Sequence, residues 1–292
     1  MTEYLIALAT LIGIQTLLAL GLNLHYGITG LVNFGHVAFY AIGAYSSAIL
    51  SVTLGWPPVA GLLVGVCLAI AASLLIGTAT LRLREDYFAI LTLGFSELVR
   101  LFLTNARGLT RGVLGISDIP RLASIGGVPS SHLYLLLVVA TVAAAYAICE
   151  VLTRSPLGRT LRAVRDDDVA AASLGKDVLA FRLTALAVGA AIAAVAGTLS
   201  AHYISYVSPD QFTPEITFYA WMAMIIGRPG SMRGALLGTA ILYTVLEGTR
   251  FAKDVAPGLG APQVAAIRQV VIGLGLIVLT VWFRRVGARR AV

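Results

Sequence analysis

Polar side chains set inside long apolar runs are the residues of this chain with chemistry to offer. The 27–45 stretch is apolar enough to enter a bilayer, yet it carries Asn33, His36 and Tyr40 together with Gly27, Gly30, Gly35 and Gly43. At membrane depth an amide, an imidazole and a phenol must face protein or a water-filled path, because hydrocarbon offers them no partner. The glycines permit a broken helix or a close backbone approach. The stretch therefore reads either as the wall of a translocation path or as a helix tied to its neighbours by hydrogen bonds. His36 has no Cys, His or carboxylate cluster beside it and does not read as a metal ligand.

Glu97 and Arg100 form a second constellation, one helical turn apart and well inside an apolar run. That spacing lets carboxylate and guanidinium neutralise each other and lowers the cost of insertion. The pair reads as a structural ion pair near the outer mouth, or as a polar patch on the path. Glu247 and Arg250 repeat the spacing at an offset of 150 residues, and Gly35 and Gly43 match Gly189 and Gly197 at an offset of 154. These matches suggest two repeated halves, as in many transporters.

The densest charge lies at 153–178. Arg154, Arg159, Arg162, Arg165 and Lys176 share this segment with Asp166, Asp167 and Asp168. Ser155 can cap a helix that starts at Pro156. Leu157, Leu161 and Val164, then Ala171 and Leu174, recur at helical spacing. The aspartate run can end one short helix or cap the next, and Gly175 can stop it. Spans need only a few polar residues to turn around, so about two dozen amphipathic ones read as a docking surface for a partner. The plainer alternative is a solvated loop whose arginines set topology. In the 227–238 stretch Pro229 and its flanking glycines must break a helix, as a tight turn or as a hinge.

Absences narrow the function. No phosphate-binding Gly-x-x-x-x-Gly-Lys-Ser/Thr loop occurs: Gly175 and Lys176 are followed by Asp177. No nucleophile–base array or metalloprotease motif stands out either, which disfavours a membrane enzyme. The reading is a transport subunit that does not hydrolyse ATP itself and binds no cofactor.

These groups must be positioned by helices. Of 292 residues, 58% are hydrophobic and 12% charged, against about 25% charged in a soluble domain. Apolar runs of about 20 residues recur, the length one helix needs to cross a bilayer. The fold class is an all-α polytopic bundle of about nine spans (8–10), near 4–24, 30–50, 57–81, 87–104, 132–153, 179–206, 216–232, 233–250 and 264–283. The first run is too long and unbroken for a signal peptide and lacks a basic leader. Cys67 and Cys149 fall in apolar runs and read as packing residues. The net charge of +7 sits in loops and at the C-terminus, which speaks for topology and against a nucleic-acid partner. Basic residues put 82–84, 153–178, 227–233 and the tail in the cytoplasm and the N-terminus outside. The chain divides into 1–29 (first span and link), 30–153 (first repeat), 154–178 (cytoplasmic loop), 179–283 (second repeat) and a basic tail, 284–292. The 105–131 loop, with Pro120, Gly126, Gly127 and Pro129, reads as irregular or partly re-entrant.

The stretches 30–45, 86–95, 110–116, 155–168 and 227–238 together carry a family resemblance over nearly the whole chain. The chain resembles the branched-chain amino-acid ABC permeases, in particular the M-type subunit of the leucine/isoleucine/valine importer family. One departure is local: the family turn reads Gly-Gly-x-Gly, where this chain has Gly227, Arg228, Pro229 and Gly230. The resemblance implies a pore shared with a homologous H-type permease in a bacterial inner membrane. It implies two ATPase subunits that use ATP on the cytoplasmic face, and an extracytoplasmic substrate-binding protein. It makes the 155–175 loop the coupling element, with Ala171 to Gly175 in the place of the docking motif. Arg159, Arg162, Arg165, Asp166, Asp167 and Asp168 would then contact the ATPase or brace the helices. Importers of urea, amides and other small organic acids share the family pattern, and a self-sufficient ion-coupled transporter is the alternative from another class.

Overall fold

The computed structural model describes residues 2–80, 85–121, 130–248, 270 and 273. Helix α1 (Thr2–Leu22) runs on into a π turn at Asn23–Ile28. After an irregular link come α2 (His36–Thr53), α3 (Pro58–Thr80) and α4 (Glu85–Asn105). A short α5 (Arg107–Thr110), a 3-10 turn (Gly112–Leu114) and β1 (Ile116–Ser117) follow. Next come α6 (Ser130–Arg154), α7 (Pro156–Asp166), α8 (Asp168–Ser173) and α9 (Val178–Ile204). The described chain then runs through β2 (Tyr206–Val207), a 3-10 turn (Pro209–Gln211), α10 (Pro214–Ile226) and α11 (Met232–Gly248).

Among the described residues, six helical segments are long and apolar enough to cross a membrane: Thr2–Ile28, His36–Thr53, Pro58–Thr80, Tyr87–Asn105, Ser131–Arg154 and Val178–Ile204. They correspond to the first six expected spans. The expected spans 216–232 and 233–250 appear as α10 and α11, of 13 and 17 residues. At 1.5 Å per residue their described lengths are about 20 and 26 Å; Pro214 and the 227–231 turn bound α10, and α11 runs to the last residue described there. The expected span 264–283 apart from residues 270 and 273, the basic tail, the 82–84 link, Arg250 and the glycines at 126–127 lie outside the described residues. The all-α expectation needs one small amendment. β1 and β2 pair antiparallel, Ile116 with Val207 and Ser117 with Tyr206, which clips the irregular 106–121 loop to the end of α9.

The centre of the bundle is α1, α2 and α9, with α3 and α10 against them. From Ile14 onward α1 is buried on nearly every side, as an all-round apolar helix must be when it sits inside a bundle. Lipid supplies no hydrophobic drive between helices, so close packing of small residues decides which faces meet. Gly43 on α2 and Gly197 on α9 show this directly. A Cβ on Gly43 would collide with the backbone of Ala194, and one on Gly197 with the carbonyl of Tyr40. On its other side Gly43 abuts Gly65 of α3. Thr198 Oγ1 donates to the Gly43 carbonyl (3.1 Å), and Ser47 Oγ lies 2.7 Å from His202 Nε2. Both bonds join residues 155 apart in sequence, so α2 and α9 run parallel and in step. Large apolar residues such as Leu63, Leu75, Leu98, Phe102, Leu136 and Val151 stay exposed on α3, α4 and α6, the surface expected to face lipid or protein partners. Cys149 is buried and Cys67 exposed, both as free thiols.

The α2–α9 seam makes a stability prediction. Gly43→Val is expected to destabilise the bundle by about 1–3 kcal/mol through overpacking. Gly94→Ala, at a helical position with open space around it, is expected to be neutral or stabilising by up to about 1 kcal/mol. Thermal unfolding of both variants in detergent checks the contrast.

Candidate functional site

The break between α1 and α2 concentrates the polar residues noted in the sequence. It opens with a π turn, a form often found where helices carry function. Backbone bonds from Gly30 N–H to Tyr26 O (2.9 Å) and from Leu31 N–H to His25 O (2.9 Å) close it. Gly30 takes φ +75°, a conformation glycine enters without penalty. Thr29 Oγ1 also donates to the His25 carbonyl. The link is thus irregular backbone held inside protein, the condition under which such backbone is tolerated at membrane depth.

Asn33 organises the link. It is fully buried, and its Oδ1 accepts from Gly35 N–H at 2.9 Å. Its Nδ2 faces His25 Nδ1 at 3.2 Å, and His25 Nε2 lies 3.1 Å from the Leu186 carbonyl of α9. Donor and acceptor roles agree if His25 is neutral with its proton on Nε2: it accepts from Asn33 and donates to Leu186. Trp221 Nε1 of α10 donates to the Asn33 carbonyl at 3.1 Å. One asparagine therefore gathers α1, α2, α9 and α10. Leu186 is eight residues into α9, about 12 Å from its start.

His36 is the first residue of α2 and is equally buried. Its ring stands edge-on to His25, with centroids 5.0 Å apart. Gly21 and Gly189 make room: a Cβ on Gly21 would lie 3.0 Å from His36 Nε2 and 2.8 Å from the Gly189 carbonyl. Neither ring nitrogen of His36 completes a well-formed hydrogen bond, although the Leu18 backbone lies within electrostatic reach. Tyr40 is buried one turn on and leans against Phe212.

Beside this network lies a feature that reading for polar residues missed. Tyr26, Val32, Phe34, Phe218, Trp221, Met222 and Ile225 line an open cavity of about 440 Å³. Trp221 contacts both Tyr26 (4.7 Å) and Phe34 (5.5 Å) through its ring. In sequence these aromatics are 195 positions apart, and only the fold of the link brings them together. A second cavity, apolar and about 600 Å³, lies between α2, α3 and α4 and includes Tyr45, Phe95 and Phe102. Glu97 and Arg100 are not among its lining residues. They form an ion pair at 2.9 Å on a half-exposed face of α4, apart from the Asn33–His36 network.

The 153–178 segment folds as its sequence suggests. Ser155 caps α7 by accepting from Gly158 N–H, with Pro156 in the first turn. Asp167 ends α7 and caps α8 by accepting from Ala170 N–H at 2.9 Å. Gly175 closes α8 at φ +76°. Leu161 and Val164 are buried, while Val169 and Leu174 stand 73% and 81% exposed. Arg159 is exposed and Arg162 half-buried. Ala171, placed in the docking motif by resemblance, is buried at 4% exposure; it packs inward while its neighbours face out. Asp168 reaches Arg182 at 3.2 Å, joining α8 to α9, and Asp166 holds its neighbour Arg165 at 2.8 Å within α7. Arg165 Nη1 turns inward and donates to the Gly27 carbonyl at 2.8 Å.

The 227–231 stretch is a tight turn, with Arg228 at φ 73° and Gly230 at φ +85°. It folds back on the π turn, Gly230 N–H donating to Asn23 Oδ1 at 2.8 Å. The π turn, the 227–231 turn and α7 thus lie at one end of the bundle, and the β1–β2 clip at the other end of α9. Among the described residues no group of three or more His, Cys, Asp or Glu could hold a metal ion.

Comparison with known proteins agrees with this architecture. A solved ABC transporter of metal-chelate type, in an inward-facing conformation, superposes with a TM-score of 0.50 at 16% identity, covering 94% of this chain and 84% of that one; this likeness concerns the fold. The high-affinity branched-chain amino acid transport system permease protein LivM of Escherichia coli is 38% identical over 270 residues, 82% of this chain and 62% of that protein. The chain therefore spans less than two thirds of that relative's length. BraD of Pseudomonas aeruginosa, a permease protein of the same kind of system, is 28% identical over 93% of this chain and 90% of its own. LivH of Escherichia coli is 29% identical over 80% of each chain. The family model described as branched-chain amino acid transport system / permease component matches residues 4–280, and the chain belongs to that family of membrane permeases.

Proposed function

We propose that this chain is the membrane-spanning subunit of an ABC importer for branched-chain, hydrophobic amino acids. It would form the path with a homologous H-type permease, receive substrate from a binding protein on the outer face, and be driven by two ATPases docked on α7 and α8. The observation that carries the proposal is the α7–α8 surface. Apolar side chains that stand free in water, ringed by charges, mark protein interaction sites, and Val169 and Leu174 do so between Arg159, Asp166 and Lys176. The inner helix face is meanwhile anchored by Leu161, Val164 and Ala171, and the Asp168–Arg182 pair ties it to α9. A surface rigidly joined to a spanning helix is what a partner needs in order to push.

Orientation follows: this end faces the cytoplasm, the β1–β2 end faces outside, and the N-terminus lies outside. The parallel, in-step packing of α2 on α9 supports the two-repeat organisation. On this reading the path runs beside the break, with Asn33, His36 and Tyr40 as its polar positions and Glu97 with Arg100 as a structural pair. The aromatic cavity around Trp221 is of a size that accepts an aliphatic side chain, within the roughly 300–1,000 Å³ usual for ligand sites. Competition among leucine, isoleucine, valine, urea and acetamide for uptake decides between hydrophobic amino acids and the smaller solutes of the alternative.

Three outcomes test the proposal. Val169→Asp with Leu174→Asp is expected to lower copurification of the ATPases by at least about tenfold, one lost hydrophobic anchor being worth more than about 1.4 kcal/mol, while membrane insertion is unchanged. Full retention of the ATPases would rule out α7–α8 as the dock. At the break, Asn33→Leu strips partners from His25 and Gly35 and is expected to cost about 1–3 kcal/mol, read as a lower melting temperature in detergent. His36→Leu removes no well-formed hydrogen bond and is expected to shift that temperature less than half as much. Trp221→Ala is expected to raise the leucine concentration for half-maximal uptake by about tenfold; an unchanged value would take the cavity off the path.

A further inference from the structure

We infer that Arg165 is the positioning residue that carries movement of the α7–α8 surface into the π turn of α1, and through it into the Asn33–His36 link. This rests on the reading of α7–α8 as the ATPase dock. It adds the residue and the element by which force would enter the path.

Three observations converge on Arg165. First, its guanidinium is held at both ends. Nε and Nη2 donate to Asp166 Oδ1 at 3.0 and 2.8 Å, and Nη1 donates to the Gly27 carbonyl at 2.8 Å. A planar fork gripped on both sides transmits displacement with little slack. Second, the chain makes room for it. A Cβ on Gly30 would come within 3.0 Å of Arg165 Cγ, so a glycine in left-handed conformation lets the arginine reach under the link. Third, Gly27 belongs to the π turn, which contains one residue more per turn than an α-helix. Converting it to α-helix would rotate every residue downstream by about 100°.

What lies downstream is poised for such a change. His36 is buried and neither ring nitrogen completes a well-formed hydrogen bond, a condition it shares with the Tyr45 and Ser51 hydroxyls and one that costs free energy. The π turn is pinned elsewhere by the Asn23–Gly230 and His25–Leu186 bonds. Those pins belong to α9 and to the α10–α11 pair, not to α7. A displacement of α7 therefore shears the π turn against fixed neighbours. The Asp168–Arg182 pair and the buried Leu161, Val164 and Ala171 also join this surface to the bundle, but the ion pair enters α9, an unbroken helix.

The test uses the full importer in proteoliposomes with its binding protein, reading leucine taken up per ATP hydrolysed. Arg165→Ala is expected to lower that ratio by about tenfold, the loss of one charge-assisted hydrogen bond. Arg165→Lys, whose ammonium can still reach the Gly27 carbonyl, is expected to recover it to within about threefold. A normal ratio in Arg165→Ala would overturn the inference and leave the docking surface standing. Loss of the ATPases from that variant would overturn it too, making Arg165 a docking contact. If the unsubstituted chain brings no ATPase with it, the docking reading fails instead. A second measurement needs no variant. Hydrogen exchange of residues 22–35 in the intact complex is expected to change by about tenfold between nucleotide-free and ATP-trapped states, and identical exchange would overturn the inference.

Discussion

Backbone polar groups inside lipid must be satisfied within the protein, and one interrupted helix makes that requirement acute here. Between Asn23 and His36 the chain leaves α1, turns through a π segment and enters α2 without regular structure. Every helix end frees several N–H and C=O groups, and here both ends lie among buried residues. Side chains absorb the debt. Asn33 takes the Gly35 N–H, Asn23 takes Gly230 N–H, Thr217 accepts from Val37 N–H, and Arg165 binds the Gly27 carbonyl. Each donor or acceptor comes from a different element. The requirement to satisfy one break thereby determines how α1, α2, α7, α10 and the 227–231 turn sit relative to each other.

That local solution works only if the helices approach closely. A hydrogen bond from the Asn33 amide to His25 and on to Leu186 demands that α9 come near enough for backbone to meet side chain. Gly21 and Gly189 provide the approach at this level, and Gly43, Gly65 and Gly197 provide it further along. The small-residue seam and the polar break are therefore one design. A bulky residue in the seam would part the helices and leave the network stretched, so packing and hydrogen bonding fail together.

Much of this was legible in the sequence, and the illegible parts have physical reasons. The caps of α7 and α8 are local: Ser155, Pro156, Asp167 and Gly175 act within a few residues, so spacing alone predicts them. The first six spans are legible for the same reason, since their apolar length is a local property. The β1–β2 pair joins residues about 90 apart, and two-residue strands carry no periodic signal. Arg165 carries the same charge as Arg159 and Arg162, and nothing local in the sequence separates it from them. Its inward turn depends on the space left by Gly30, 135 positions earlier. The aromatic cavity was invisible because Tyr26 and Trp221 lie in separate helices, and apolar residues in a membrane protein are too common to single out. The break between α10 and α11 is legible too, since Pro229 and its glycines mark the 227–231 turn that separates them.

The distribution of rigidity follows from the same arrangement. The bundle interior is dense at the α2–α9 seam, where glycines leave no slack, and unfinished at His36, where a buried imidazole lacks a well-formed hydrogen bond. A transporter needs both. Dense seams move as bodies, because packed cores are bistable rather than continuously deformable. An unfinished site supplies the second arrangement, since a change that gives His36 a partner recovers part of the cost of leaving it without one. On the proposed reading, the surface that receives force sits one side chain, Arg165, away from the π turn, and the seam lies behind it as the fixed reference. Motion entering at α7 then has one soft place to go, the link between α1 and α2, which borders the aromatic cavity where an apolar side chain would rest.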